Sequence, residues 1–251
     1  MEKTLLSKKI FITGGTSCLG QAFVRYAVLN GADVFFSYFS DQTTAEQLCR
    51  EGAHKAYHLD LKKTSEFESL SQVLQRDAGY LDGLIHNGAA VRDAALTTMT
   101  EEDWDEVMTV DLKAPFFLTQ SLLPLLKNHN EAPERKPAKV LFLTSRAAFR
   151  GVYGAANYAA AKAGLIGLVK SLAAELGPLP VLVNAVNPGF MISAMTQNLS
   201  QTVKESQRKA SVLEQFSDPE DVAAFLGYLL SDQTAQATGQ VFHWDSRRMN
   251  F

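Results

Sequence analysis

Cysteine is scarce in this chain: Cys18 and Cys49 are the only two, and no Cys-x-x-Cys pair occurs. A disulfide framework and a cysteine zinc site are therefore excluded, no metal is expected, and a reducing compartment fits. Long apolar runs are missing too. No stretch approaches the ~18–20 consecutive apolar residues of a membrane span, and Met1 to Lys9 carries charge without an apolar centre, so neither a membrane anchor nor a signal peptide is expected. There is no excess of basic charge: the formal net charge is -3 and the pI about 6.0, which gives no electrostatic reason to expect nucleic acid or an anionic membrane as partner. Internal repeats, low-complexity tracts and convincing linkers are absent as well. A cytoplasmic protein is the expectation, and 251 residues that are 46% hydrophobic suffice for one substantial core.

What the chain does contain is a series of short apolar runs, each closed by a turn. Lys9-Ile10-Phe11-Ile12-Thr13 reads as a buried strand, Gly14-Gly15-Thr16-Ser17-Cys18-Leu19-Gly20 as a glycine turn, and Gln21 to Leu29 as a helix. Strand, glycine turn and helix together aim backbone N–H groups and a helix N-terminus at a phosphate. Ala32 to Ser37 is a second strand that closes a βαβ unit. Its end, Ser37-Tyr38-Phe39-Ser40, brings no carboxylate before Asp41, whereas a NAD-preferring site supplies an acid to the ribose hydroxyls there. Hydroxyls without an acid leave room for a 2′-phosphate, so NADP(H) is favoured over NAD(H). A third strand ends at Asp60-Leu61, before a helix from about Thr64 to Arg76. A fourth runs from Leu81 into His86-Asn87-Gly88-Ala89-Ala90, small residues that let a flat ligand approach the backbone.

Thr100-Glu101-Glu102-Asp103 reads as a capping box opening a helix towards Leu126, which Pro115 should kink or split. Lys127 to Lys139 is the most loop-like stretch and reads as a solvated connection. Val140 to Leu143 is a buried strand that presents Ser145 at its carboxyl edge, and Asn157 to Leu176 is a helix apolar over most of its circumference, suited to burial on more than one side. Tyr158 and Lys162, four apart, share one face of it. A phenol with an ordinary pKa near ~10 beside an ammonium is a general acid brought closer to working pH, and a serine hydroxyl beside it can hold a carbonyl oxygen. Val181 to Val186 is a strand ending at Asn187-Pro188-Gly189-Phe190. Residues 191–215 are polar and weakly periodic, as a mobile substrate lid would be, and Pro219 to Leu230 is a helix before a last strand, Gly239 to Trp244. This alternation predicts a single α/β domain over residues 1–251: a doubly wound parallel sheet, Rossmann-like, with helices on both faces.

On these motifs the chain resembles the short-chain dehydrogenase/reductase family over essentially its whole length. Thr13-Gly14 to Gly20, Asp60, His86-Asn87-Gly88-Ala89, Ser145, Tyr158-x-x-x-Lys162, Asn184 and Pro188-Gly189 occur in family order. Arg92-Asp93, the run from Ala156 to Leu165 and Pro188-Gly189-Phe190 make it look most like the β-ketoacyl-(acyl carrier protein) reductases. The resemblance implies that Tyr158 protonates a ketone oxygen, Lys162 holds the nicotinamide ribose and assists Tyr158, and Ser145 orients the carbonyl. It implies cofactor contacts at Gly14, Thr16, Ser17, Cys18, Leu19, Gly20, Ser37, Tyr38, Asp60, Leu61, Asn87, Gly88, Ala89, Pro188, Gly189 and Ser193, beside Tyr158 and Lys162. Departures from the family pattern stand at four places. Cys18 replaces the middle glycine of the turn. Asp111 replaces the asparagine that fixes a relay water. His86-Asn87-Gly88-Ala89 replaces Asn-Asn-Ala-Gly, and Asp245-Ser246-Arg247 replaces Asp-Gly-Gly. The implied function is NADPH-dependent reduction of a β-keto group on an acyl carrier protein, in fatty-acid or polyketide-like biosynthesis, by a homotetramer. Basic Arg135, Lys136 and Lys139 would meet the acidic carrier. The alternatives are reduction of a free small ketone, and a weakly catalytic nucleotide-binding partner protein.

Overall fold

The computed structural model describes residues 3–127, 136–194 and 196–247. Seven strands form one sheet: β1 (Lys9–Ile12), β2 (Asp33–Tyr38), β3 (Lys55–His58), β4 (Gly83–His86), β5 (Ala138–Leu143), β6 (Val181–Asn187) and β7 (Val241–His243). Their order is β3-β2-β1-β4-β5-β6-β7 and every pairing is parallel. Parallel neighbours need crossover connections. The helices that accompany them are α1 (Cys18–Leu29), α2 (Gln42–Arg50), α3 (Phe67–Asp77), α4 (Glu101–Met108), α5 (Ala114–Lys127), α6 (Ala147–Arg150), α7 (Ala156–Leu176), α8 (Gln201–Ala210) and α9 (Pro219–Leu230).

Side-chain alternation along each strand divides the core in two. Ile10, Ile12, Val34 and Phe36 face Phe23 and Val24 of α1 and Val222 and Leu226 of α9. Phe11, Phe35 and Tyr57 face the other way, into Leu74 of α3, Leu118 and Leu122 of α5, and Leu165 and Val169 of α7. With both faces covered, a central strand has no solvent side, and all six residues of β5 are buried. Strand order reverses between β1 and β4, which opens a crevice at the carboxyl edge, where this fold class binds ligands.

The capping box forms, with Thr100 Oγ1 accepting from the Asp103 N–H at 3.1 Å. Beyond it the long helix divides as Pro115 predicts. A π-helical turn over Thr109–Lys113 separates α4 from α5. Pro115 has no N–H to offer the carbonyl four residues back, that of Asp111, so the α-helical ladder cannot run through. Short helices α2, α6 and α8 were not expected, and α3 is preceded by a 3₁₀ turn, Thr64–Glu66.

One expectation is corrected. Of the predicted basic loop, residues 128–135, Arg135 included, lie outside the described residues, while Lys127 ends α5 and Lys139 belongs to β5. Lys139 is buried, and its ammonium donates to the Ser231 carbonyl and, at 2.8 Å, to Thr234 Oγ1. Burial pulls its pKa down to about 8. It is a structural tie under the sheet and is not available to a carrier protein. Among the described residues no helix is long and apolar enough to cross a membrane, and no cluster of His, Cys, Asp and Glu is placed to hold a metal ion.

Candidate active site

The glycine turn sits at the head of the crevice, and its shape is fixed by close backbone approach. Gly14 has φ +65°, a left-handed conformation open to glycine. A Cβ on Gly20 would lie 2.2 Å from the Gly14 carbonyl oxygen and 2.8 Å from Gly15 Cα, so any side chain there would force the turn open. Ser17 caps α1, its Oγ accepting the Gly20 N–H at 3.1 Å. Asn87, just past β4, locks the turn to the sheet: its amide nitrogen is 3.0 Å from the carbonyls of Thr13 and Gly14 and 3.0 Å from Ser17 Oγ. Thr13 Oγ1 accepts in return from the backbone N–H groups of Asn87 and Gly88, at 3.0 and 2.9 Å. The result is a tight glycine turn at the N-terminus of α1, with Thr16, Ser17 and Cys18 the side chains it carries between Gly15 and Leu19, an arrangement suited to the pyrophosphate of a dinucleotide.

Several predicted cofactor residues act from behind this turn. Leu19 is buried in the core, so only its backbone can face a phosphate. Ser37 is 2% exposed, with its hydroxyl on the Gly14 N–H at 3.4 Å and its carbonyl on the Gly15 N–H at 2.8 Å. It braces the turn, and its hydroxyl does not face a ribose phosphate, which corrects the sequence reading. Leu61 packs so close to Gly88 that a Cβ there would meet Leu61 Cδ1 at 2.6 Å. Thr16, Tyr38, Asp60 and Ala89 are half-buried along the crevice. The first carboxylate after β2, Asp41, caps α2 by accepting from the Thr44 N–H at 3.0 Å, and that hydrogen bond holds its pKa below the usual carboxylate value. Cys18 opens α1, and its Sγ lies 3.6 Å from the Ile192 carbonyl, so the turn touches the segment leading to α8. That thiol is pushed up by burial and by the carboxylates of Asp218 and Glu220.

The proton-handling groups meet two strands away. Ser145 stands two residues past the end of β5, and its Oγ accepts the Ala147 N–H at 3.2 Å, which leaves the hydroxyl hydrogen to be given to a ligand oxygen. Lys162 projects from α7 into the interior. Its Nζ donates to the Leu143 carbonyl at 3.1 Å and pairs with Asp111 Oδ2 at 3.1 Å, both side chains being almost wholly buried. Tyr158, one turn earlier and half-buried, places its ring centroid 5.5 Å from that ammonium. Asp111 is positioned by the π turn, and its Oδ1 accepts the Ala90 N–H at 2.7 Å. Burial works against the charge of both partners, raising Asp111 and opposing Lys162; for Lys162 the Asp111 carboxylate prevails and its pKa stands above that of an ordinary lysine.

Two positioning groups escaped sequence reasoning. Asn157 is fully buried: its Nδ2 donates to the carbonyls of Arg92 and Asp103, at 2.9 and 3.1 Å, and its Oδ1 accepts the Tyr158 N–H at 2.8 Å. It fixes the start of α7, and with it Tyr158, against α4. His86 is buried too, stacked on Phe142, its Nε2 2.8 Å from Thr119 Oγ1. Thr119 Oγ1 already donates to the Pro115 carbonyl, so it accepts from His86. Burial first, and then the Lys162 cation, pushes the imidazole down to about 3, so it stays neutral.

On the substrate side, Gly189 has φ +83°, and a Cβ there would fall 2.1 Å from Ser217 Oγ, so the exit of β6 is pinned between Pro188 and the loop before α9. Ser193 opens a turn with Thr196, whose Oγ1 accepts the Ser193 N–H at 2.9 Å. The predicted lid contains α8, latched to the chain end by Arg247, which bonds Gln207 at 2.6 Å and clasps Asp245. Asn184 lies mid-strand in β6, bonding the Ala237 carbonyl and the Gln240 N–H, a structural position.

A glycine turn suited to phosphate at the β1–β4 switch and a serine, tyrosine and lysine at the ends of β5 and α7 define a nucleotide-dependent oxidoreductase fold. The chain belongs to the short-chain dehydrogenase/reductase family: residues 14–246 match a family model described as enoyl-(acyl carrier protein) reductase. It is 34% identical to 3-oxoacyl-(acyl-carrier-protein) reductase FabG of Aquifex aeolicus, over 97% of this chain and 98% of that protein. Nodulation protein G of a Rhizobium species is 32% identical, over 95% and 96%. Among solved structures, the RhlG/NADP active-site complex of Pseudomonas aeruginosa superposes with a TM-score of 0.90 at 28% identity, covering 98% of this chain and 97% of that one.

Proposed function

We propose that this enzyme is an NADPH-dependent reductase of β-keto groups on acyl chains held by acyl carrier protein, working in the cytoplasm in fatty-acid or polyketide-like biosynthesis. The observation that carries the reading is the convergence of a donor-ready Ser145, Tyr158 and a charged, buried Lys162 beside a turn suited to a dinucleotide. The bound nicotinamide supplies a hydride to the carbonyl carbon. Ser145 gives its hydroxyl hydrogen to the carbonyl oxygen and orients it. Tyr158 delivers a proton to that oxygen, and Lys162 stabilises the phenolate left behind; its ammonium, held by the Leu143 carbonyl and Asp111, would use its remaining N–H to hold the nicotinamide ribose.

Preference for NADPH is supported by the use of Asp41 as a helix cap and by the absence of any other carboxylate between Ser37 and Asp41. Kinship with proteins named 3-oxoacyl-(acyl-carrier-protein) reductases supports the carrier-bound substrate. Assembly as a homotetramer is supported by α7, which leaves Ala160, Ala163, Gly167 and Ser171 exposed as a small-residue stripe. Beside the stripe is a groove lined by Leu112, Phe116 and Leu168. The test is oxidation of NADPH and of NADH with acetoacetyl-carrier protein, a free small ketone and a crotonyl-carrier protein. The reading expects fastest turnover for NADPH with the acetoacetyl carrier. Turnover of the crotonyl substrate alone would make the protein an enoyl reductase, and turnover of none would make it a binding protein.

A further inference from the structure

The Ser37 hydroxyl is engaged inside the glycine turn, so a preference for the phosphorylated cofactor needs another group to meet the 2′-phosphate. The turn from Gly14 to Gly20 and the segment from Ser37 to Asp41 hold no lysine or arginine. Strand register shows where such a group can stand. The turn rests on β2, since a Cβ on Gly15 would overlap the Phe36 ring. Tyr38, two residues on, faces the same way and packs into the α1 side of the core. Tyr38, with Phe39 just past it, is therefore at the carboxyl end of β2, where this fold class reads the hydroxyls of the adenosine ribose. His58 ends β3 directly opposite Tyr38. Ala56 packs against the α1 side of the sheet, so His58, two residues along the same strand, presents its ring on that side as well. Both neighbours agree with this. The Tyr38 ring and the imidazole meet edge-on with centroids 5.7 Å apart, and Phe39 stacks on the imidazole at 5.9 Å and an interplanar angle of 28°. His58 is exposed, and among the described residues its ring nitrogens have no hydrogen-bond partner. The first carboxylates after β2 and β3 are already engaged: Asp41 accepts the Thr44 N–H and Asp60 the Lys62 N–H, each at 3.0 Å. Two aromatic rings thus orient a free donor at the edge of the cofactor crevice.

We propose that His58 is a specificity-determining residue that donates to the 2′-phosphate of NADPH, in place of the basic side chain that the end of β2 lacks. This inference rests on the NADPH reading above and deepens it by naming the group that selects the phosphorylated cofactor. An imidazole gives a phosphate oxygen an N–H and, when it holds both protons, a positive charge as well. Tyr38 and Phe39 keep the ring in place before the ligand arrives, which reduces the entropy lost on binding. Stacking on adenine is the other use such rings have. Phe39 already covers one face of the imidazole, so the nitrogens along its edge are what His58 offers a ligand.

The experiment measures Kd by calorimetry for adenosine 2′,5′-bisphosphate and for AMP, which differ by the 2′-phosphate alone, in wild type, His58→Ala and His58→Gln. No turnover is involved, so the outcome does not depend on the ketone. Wild type is expected to bind the bisphosphate about ten- to a hundred-fold more tightly than AMP, the worth of charge-assisted hydrogen bonding to one phosphate. The ratio of the two Kd values should fall to about one in His58→Ala and lie between in His58→Gln, which keeps a neutral donor. Should His58→Ala fail to fold, His58→Gln carries the comparison, and a ratio equal to that of wild type there overturns the inference. A wild-type ratio that survives in His58→Ala overturns it too. So does an equal loss of affinity for both nucleotides in His58→Ala, which would make His58 a stacking surface for adenine. Those results sink this inference alone. A wild-type ratio of one sinks the NADPH preference beneath it as well, and failure of wild type to bind either nucleotide sinks the dinucleotide site itself.

Discussion

Replacing Asp111 by Asn probes the pair on which the site's charge balance rests. Coulomb's law for the 3.1 Å separation of Asp111 Oδ2 and Lys162 Nζ, at an effective dielectric of ~20, gives a gross attraction of about 5 kcal/mol. Desolvation of both groups offsets much of that, and removing one partner of a buried pair usually costs ~3–5 kcal/mol. A carboxamide cannot serve both neighbours. If its oxygen keeps the Ala90 N–H, now bonded at 2.7 Å, its NH₂ confronts the ammonium; turned over, it confronts the N–H. A loss of about 3 kcal/mol is therefore expected, roughly 6–12 °C in Tm for a domain of this size. Activity should change with a definite sign. In the wild type the carboxylate holds Lys162 above the ordinary lysine value against the downward pull of burial. Without the carboxylate burial prevails, so Lys162 loses its proton at lower pH and the alkaline limb of kcat for reduction moves down. Scanning calorimetry and a kcat–pH profile measure both effects. An unchanged Tm together with an unchanged alkaline limb would refute the reasoning.

Three further outcomes follow from the geometry. His86 has a folded-state pKa depressed from 6.5 to about 3, so its contribution to stability is complete above pH ~6.5 and declines as pH falls towards ~3. It amounts to about 2 kcal/mol lost by pH 5, and His86→Asn should flatten that part of the stability–pH curve measured by urea unfolding. Asn87→Ala removes the amide that ties Thr13, Gly14 and Ser17 together, at about 1–3 kcal/mol for the groups left unpaired, so the Kd for NADPH by fluorescence titration should rise about ten- to a hundred-fold. Arg247→Ala cuts the latch on Gln207, and hydrogen exchange in α8 should quicken while that in β5 stays as it was.

The sheet was legible because both its faces are covered. Runs such as Val140 to Leu143 are apolar at every position, and a turn residue closes each one. What escaped were elements with little to bury. Of the nine residues in α2 only Ala45 and Leu48 are buried, and in α8 none is, so neither carries an apolar stripe. Lys139 misled the reading because a lysine two residues after Pro137 looks like surface. Here it is the second residue of β5, opposite Leu182, and reaches out to the Ser231 carbonyl. At the site, Ser145, Tyr158 and Lys162 could be named from spacing, because one strand end and one helix face place them. The ion pair of Asp111 with Lys162 depends on a π turn, whose only trace in sequence is Pro115. Asn157 had a fainter signal still, one buried amide at the head of an alanine-rich helix. The hydroxyl of Ser37 is turned inward by strand alternation, a register that its place at a strand end does not reveal.

The central claim is that Tyr158 protonates a carbonyl oxygen while a nicotinamide delivers hydride. Its most direct test is the rate of NADPH oxidation with acetoacetyl-carrier protein for wild type and Tyr158→Phe, at equal cofactor occupancy. A positioned general acid contributes about 10²–10⁴-fold, so the variant should bind NADPH and lose at least a hundred-fold in kcat. Equal kcat values in the two proteins would contradict the account.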